Sequence, residues 1–196
     1  SGAAPSAADF AVLFGVVAGA GYNQVSFLGL LAPAAGLLSA LQASSSLRNN
    51  FNLLFGTALT AGVPPVASRG TLFDVVGDAA FNQASFLVVL PNAAGLLSAL
   101  QADLALRTNF NLAFGTAIAA VGAPGAADRK KLFDLAGDPA FNLANFVAAL
   151  PAANALLAAL QADVTARNNF NAIFGTGISG AAPSAADFAV LFGVVA

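Results

Sequence analysis

The chain has 196 residues, of which 58% are hydrophobic and only 8% are charged, and its formal net charge at pH 7 is -2. This length and apolar content suffice for a buried core, whereas the low charge argues against nucleic acid or an anionic lipid surface as a partner. Histidine, cysteine, methionine and tryptophan are absent, which excludes disulfides and thiolate metal sites and removes the side chain most used for proton transfer near neutral pH.

Internal repetition organises the chain from its first residues to its last. Several residue types recur at intervals of about 59 residues, and the period predicts three tandem modules, residues 1–60, 61–119 and 120–178, followed by a partial module, residues 179–196. The recurring positions are Phe14, Phe73, Phe133 and Phe192; Phe51, Phe110 and Phe170; Gln42, Gln101 and Gln161; and Arg48, Arg107 and Arg167.

The partial module repeats the start of the first module letter for letter. The segment SGAAPSAADFAVLFGVVA occupies residues 1–18 and again residues 179–196, whereas the three full modules differ from one another at many positions. We therefore expect the natural unit to be the whole triplet within a tandem array. The alternative is a deliberate duplication that completes a terminal module. Both interpretations imply that modules complete one another across a junction.

Within each module the apolar residues recur at three- and four-residue steps, which is typical of amphipathic helices. Asp78 and Asp138 are predicted N-caps, with Pro139 at a first helical position. A proline then lies in the middle of each long apolar stretch and predicts a division into two short helices. These prolines are Pro33, Pro91 and Pro151.

Each module closes with a glycine that predicts the end of its last helix. These glycines are Gly56, Gly115 and Gly175. The links that come after the first two modules carry proline and glycine in turn-forming combinations. The sequence thus predicts an all-α fold of three tandem modules, each with four to five short helices and almost no strand, with phenylalanine and leucine in the core.

The candidates for acid–base chemistry are two pairs of carboxylates, Asp74 with Asp78 and Asp134 with Asp138, each four residues apart. Helix capping explains them better than catalysis, because the first module has Gly15 where Asp74 would be. We therefore expect no catalytic residue, no cofactor, no metal and no enzymatic activity.

The recurring arginines and phenylalanines are candidate contacts between modules. Asp103 and Asp163 precede Arg107 and Arg167 by four residues, and the ordinary interpretation of that spacing is an ion pair on a helix surface. The alternative pairs each arginine with a carboxylate of a neighbouring module, and Arg48, preceded by Ser44 at that spacing, is the most free for an external partner. The candidate inter-module residues are Arg48, Arg107, Arg167, Phe14, Phe73, Phe133 and Phe192.

The other recurring polar residues have structural interpretations. Six asparagines stand beside apolar residues, and we expect them to hydrogen-bond backbone groups at helix caps or between helices, rather than to bind a glycan or ligand. They are Asn23, Asn82 and Asn142, and Asn52, Asn111 and Asn171. The basic cluster Arg129, Lys130 and Lys131 is expected to be a solvated helix start.

Three uncharged windows raise the alternative of a membrane. Residues 10–47, 79–102 and 139–162 are each long enough to span roughly 30 Å of hydrocarbon. Proline, asparagine, glutamine and serine interrupt them, and there is no Lys/Arg bias to fix a topology. We expect a structural protein that associates with itself into a fibre, filament or array. A membrane-embedded or lipid-carrying helical protein is the alternative.

A homogenised tandem array of Ala-rich, cysteine-free helical units with LRxNFN-like segments resembles the repetitive domains of spider silk proteins, the spidroins, particularly the aciniform and tubuliform types. The resemblance covers the organisation of the entire chain. The chain differs from spidroins in its low serine content and in lacking poly-Ala or Gly-Gly-x blocks. The resemblance implies a secreted, extracellular protein that is stored soluble as helical bundles and drawn into fibres.

Overall fold

The computed structural model describes Val16 and residues 22–195, and in this part of the chain the regular structure is entirely helical, so the predicted all-α class is confirmed. In these residues we number the helices α1 (Gln24–Ala43), α2 (Ser45–Phe55), α3 (Val66–Val76), α4 (Gln83–Ala102), α5 (Leu104–Phe114), α6 (Ala126–Ala136), α7 (Leu143–Ala162), α8 (Val164–Phe174) and α9 (Ala185–Val195).

Each of the two predicted modules whose residues are all described contains three helices. Residues 61–119 hold α3, α4 and α5, and residues 120–178 hold α6, α7 and α8, so the prediction of four to five short helices is wrong. The order is the same in both: an 11-residue helix, a 20-residue helix and a second 11-residue helix. The 20-residue helices α1, α4 and α7 are called the long helices.

The prolines do not divide the long helices, because burial on the helix face outweighs the local cost. Pro91 lies inside α4 and has no N–H for the carbonyl of Leu87, one turn earlier. Leu90 and Ala93, on either side of it, are fully buried. Proline inside a helix costs about 3 kcal/mol, and a fully buried leucine contributes about 1.5–3 kcal/mol. Because α4 also buries Leu96, Leu97 and Leu100 completely, their combined burial exceeds that cost.

We expect Pro91→Ala to raise the free energy of unfolding by about 1–3 kcal/mol, since Pro91 is exposed and alanine restores the missing backbone donor. Urea unfolding followed by circular dichroism measures the change. Pro65→Ala is the matched control, because exposed Pro65 precedes α3 and has no helical hydrogen bond to restore. A decrease in stability for Pro91→Ala would contradict the expectation.

Asparagine, not aspartate, begins each long helix. Asn82 has an extended backbone, and its Oδ1 accepts a hydrogen bond from the N–H of Ser85 at 3.0 Å. Asn23 and Asn142 cap α1 and α7 in the same way. The predicted caps at Asp78 and Asp138 are therefore wrong. Asp78 instead accepts from the N–H of Ala80 at 2.8 Å and closes a separate turn before the helix, as does Asp138.

One residue both ends each long helix and begins the next helix. Asp103 has an extended backbone after α4, and its Oδ1 accepts from the N–H of Leu106 in α5 at 2.9 Å. Ser44 and Asp163 hold the same place. The helices that they begin end, as predicted, at Gly56, Gly115 and Gly175, which take the left-handed conformation with φ of 65°, 62° and 66°.

The long helices form the centre of the structure. Each packs against the 11-residue helix that comes after it and against the helix that opens the next module, as α4 packs on α5 and α6. The second and third long helices also pack on the closing helix of the preceding module, so that α2 lies on α4 and α5 on α7. Leu96, Leu97 and Leu100 of α4 and Phe110 of α5 are fully buried, and the predicted leucine and phenylalanine core is confirmed.

Candidate functional site

The last asparagine of each module holds the loop that leads to the next module. Nδ2 of Asn111 donates to the carbonyl of Ile118 at 3.0 Å, while its Oδ1 accepts from the N–H of Ile118 at 3.0 Å and from the hydroxyl of Thr116 at 2.8 Å. Asn52 and Asn171 make the corresponding three bonds. The expectation that these asparagines bond to backbone groups is confirmed, and it fixes the direction in which the chain leaves the helix.

The recurring arginines close the ends of the long helices. Nη1 of Arg107 donates to the carbonyls of Leu100 and Gln101, both at 3.1 Å. The expected ion pair with Asp103 is not formed, because that carboxylate accepts from a backbone N–H and the negative end of the α4 dipole attracts the guanidinium. Arg48 and Arg167 donate to carbonyls of their own modules in the same way, so Arg48 is no more free than the others.

The basic cluster separates into two environments. Lys130 forms, among the residues described, the one ion pair, with Asp134 at 2.8 Å, and both side chains are exposed as expected. Arg129 is half-buried instead: its Cζ lies 4.4 Å from the centre of the Phe55 ring, and its Nη1 donates to the carbonyl of Leu54 at 3.4 Å. Burial lowers the pKa of Arg129, and the charge of Asp74 opposes that shift. The expectation of a solvated helix start is therefore wrong for Arg129.

The recurring phenylalanines join helices of successive modules. Phe73, Phe133 and Phe192 lie on α3, α6 and α9, and each stacks on a phenylalanine of the preceding long helix. The centre-to-centre distances are 5.1 Å for Phe73 on Phe27, 5.3 Å for Phe133 on Phe86 and 4.9 Å for Phe192 on Phe146. Phe14 lies outside the described residues.

The duplicated segment, residues 179–196, packs on the last long helix in the way that α3 and α6 pack on the earlier ones. Its helix α9 packs on α7, as α3 packs on α1 and α6 on α4. Leu191 is fully buried, Phe188 is nearly so, and the ring of Phe188 lies 4.4 Å from that of Phe114. The second copy of the opening sequence therefore covers one face of α7, the last long helix.

A polar position that the sequence reasoning missed attaches these opening helices to the preceding loop. The third residue of α3, α6 and α9 accepts a hydrogen bond from a backbone N–H about ten residues earlier. The pairs are Ser68 with Ala58 at 3.2 Å, Asp128 with Ala117 at 3.2 Å and Asp187 with Gly177 at 2.9 Å. The available signal was a small oxygen acceptor at the same place in each module.

Acid should weaken the attachment of α9. The hydroxyl of Ser184 and the N–H of Gly177 hold the pKa of Asp187 below its ordinary value of 3.8. A lowered folded-state pKa contributes stability above the unfolded value and loses it as the pH falls through the folded value. We expect Asp187→Asn, which keeps an acceptor but does not titrate, to reduce the loss of stability between about pH 5 and pH 2. Urea unfolding across that range measures it, and identical pH profiles would contradict the assignment.

The paired carboxylates show structural roles. Asp74, Asp78, Asp134 and Asp138 are all exposed, Asp134 is paired with Lys130, and Asp78 and Asp138 close turns. They do border two open grooves with largely apolar walls. The groove between α3 and α6 has a volume of about 800 Å³, and the groove between α6 and α9 about 380 Å³, sizes typical of small-molecule sites.

The long helices meet the length and composition needed to cross a membrane, because each has 20 residues and little charge. Even so, within an apolar window of 18 residues, the share of residues buried against the rest of the protein reaches 33% in α4 and 28% in α7. No family model matches this chain, and neither a curated protein nor a solved structure shows significant similarity to it.

Proposed function

We propose that this chain is a structural repeat protein whose units join end to end into a filament or array, and that its setting is an extracellular fibre of the spidroin kind. One observation carries the proposal: the sequence that opens the chain, residues 1–18, also forms the helix α9 that covers α7 at the far end.

The contacts of α9 explain how one unit completes another. In a tandem array, residue 178 would be followed by residues 1–18 of the next unit, which are identical to residues 179–196. The next unit would therefore supply Phe10 and Leu13, which are identical in sequence position to Phe188 and Leu191, to α7. Because Phe188 and Leu191 are buried among aromatic and aliphatic neighbours, each junction gains apolar burial.

The direction of this contact favours an open assembly. The end of one unit meets the start of the next, so the two contacting surfaces are different, and a head-to-tail contact of this type extends into a filament unless its rotation closes a ring. Stacked helical modules with nearest-neighbour contacts are stabilised in the same way.

Sedimentation velocity and negative-stain electron microscopy of residues 1–178 at rising concentration test the proposal, because α9 already occupies this face of α7 in the 196-residue chain, whereas the shortened chain leaves it free for residues 1–18 of another copy. We expect the average mass to rise with concentration and the particles to lengthen. A single monomeric species at every concentration up to about 1 mM, where even a weak contact of about 4 kcal/mol is half occupied, would contradict it.

A second function is supported by the three long apolar helices, which fit a membrane-embedded or lipid-carrying protein. Flotation with phosphatidylcholine vesicles separates the two functions. A chain that floats with the vesicles supports the membrane or lipid function, whereas a chain that stays in the aqueous fraction and lengthens with concentration supports the structural one.

A further inference from the structure

The closing helix of the last module, α8, exposes residues whose counterparts are buried. Ile173 is 74% exposed, whereas Leu54 in α2 and Ala113 in α5 are fully buried. Phe174 is 45% exposed, against 9% for Phe114. The difference has a simple origin: α2 and α5 pack on α4 and α7, and among the described residues no further long helix comes after α8.

The first long helix shows the complementary exposure. Leu31 of α1 is 40% exposed, whereas Leu90 in α4 and Leu150 in α7 are fully buried. Ala35 is also exposed, whereas Ala94 at the same place in α4 is buried. Within the described part of the chain, α1 has no preceding closing helix to cover it.

The surroundings of Phe55 show what Phe174 lacks. Phe55 lies 6.1 Å from the ring of Phe86 in α4, 6.1 Å from that of Phe133 in α6, and beneath the guanidinium of Arg129. The residues at the matching positions of α1 and α3 are Phe27, Phe73 and Arg69. Phe27 and Phe73 are already stacked on each other at 5.1 Å, so the receiving surface is assembled before a partner arrives.

We propose that α8 of one copy of this chain docks on α1 and α3 of a second copy, with Phe174 placed beside Phe27 and Phe73 and beneath Arg69. This inference rests on the proposed end-to-end function and names the surface that carries it. The occupant is a second copy because the chain already makes the same contact twice within itself, α2 on α4 and α5 on α7.

A hydrogen bond between α5 and α7 within the chain indicates the register that we expect for the contact between two copies. Nδ2 of Asn154 in α7 donates to Oδ1 of Asn109 in α5 at 3.0 Å. The matching positions at the two ends are Ala35 in α1 and Asn169 in α8, and both are exposed. Docking in this register brings Ala35 of one copy next to Asn169 of the other.

Cysteine cross-linking tests the register without background, because the natural sequence has no cysteine. An equimolar mixture of Ala35→Cys and Asn169→Cys chains, one carrying a mass tag, is oxidised and separated on a non-reducing gel. We expect the mixed disulfide dimer to form at least about tenfold faster than either homodimer, because docking raises the effective thiol concentration. The double variant should give a ladder of covalent oligomers.

Asn168→Cys is the matched control for the cross-link. Its counterpart in α5, Thr108, is exposed although α5 packs on α7, so position 168 faces away from the proposed contact. We expect Asn168→Cys mixed with Ala35→Cys to cross-link no faster than the homodimers.

Substitution of the apolar surface gives an independent measurement. We expect Ile173→Asp to weaken association in sedimentation by more than about tenfold, because a carboxylate would be buried without a partner. Val164→Asp is the control, since Val164 is exposed and so is its counterpart Leu104. Circular dichroism checks that both variants fold.

The outcomes separate this inference from the proposed function. Suppose that the chain associates with rising concentration, but positions 168 and 169 cross-link equally or the two Asp variants associate equally. Docking through α8 would then be contradicted, whereas end-to-end assembly would still stand. A chain that stays monomeric at every concentration would overturn the proposed function and this inference together.

Discussion

Deletion of residues 179–196 will leave α7 uncovered and drive the shortened chain into oligomers or precipitate. The deletion removes Leu191 and Phe188, both buried, and deprives Phe114 and Phe146 of ring contacts at 4.4 Å and 4.9 Å. Two buried side chains of this size correspond to about 3–6 kcal/mol, a large part of the roughly 5–15 kcal/mol by which a domain is stable. Thermal unfolding and light scattering measure the loss.

The chain offers an unusually close control for this deletion. Removing residues 1–18 takes away the same eighteen letters from the other end, so the two shortened chains are circular permutations with identical composition. All the contacts described for α9 on α7 remain in the control. We expect it to keep the stability that α9 confers and to melt at a higher temperature than the chain that lacks residues 179–196, and equal melting of the two shortened chains would show that the position of the segment is unimportant.

Phe110→Ala will lower the free energy of unfolding by about 3–5 kcal/mol, because it leaves a cavity between α5 and α7. Phe110 is fully buried, and its ring lies 4.6 Å from Phe114 and 6.2 Å from Phe146. Urea unfolding at low protein concentration, where the chain is most dissociated, measures the change.

Phe170→Ala is the counterpart in the last module and should cost less. Phe170 is 9% exposed, and its ring packs on Phe174, itself half-exposed on α8. If a second copy covers α8, the cost of Phe170→Ala should rise towards that of Phe110→Ala as protein concentration increases. Equal costs at low concentration would argue that α8 is already as well packed as α5.

Local signals in the sequence were sufficient for the helical class and for the glycine ends of α2, α5 and α8, but not for the starts of the long helices. A glycine at Gly115 with φ of 62° ends α5 because other residues rarely adopt that conformation, and this preference needs no distant contact. The bonding of Asn111 to backbone groups was likewise predictable, since an asparagine among apolar residues needs a partner.

The candidate contacts were predicted less completely. The repeat pattern singled out Phe73, Phe133 and Phe192, which stack on the preceding long helices. The spacing, however, paired Arg107 with Asp103, whereas each of these two groups bonds to backbone at a different helix end. Asp128 and Ser68 were passed over, because their shared place in the repeat marks them as acceptors but does not show which backbone N–H donates to them.

The helical period and the glycine stops follow from the order of residues alone, because they depend on neighbours within one or two turns, and the repeat is read directly from the recurrence of residues about 59 positions apart. The continuation of α4 through Pro91, and its packing against α2, α5, α6 and α7, became visible only in the folded chain. Burial of Leu90 and Ala93 requires helices from distant parts of the chain, and their combined apolar contact exceeds the local preference of a proline to end a helix.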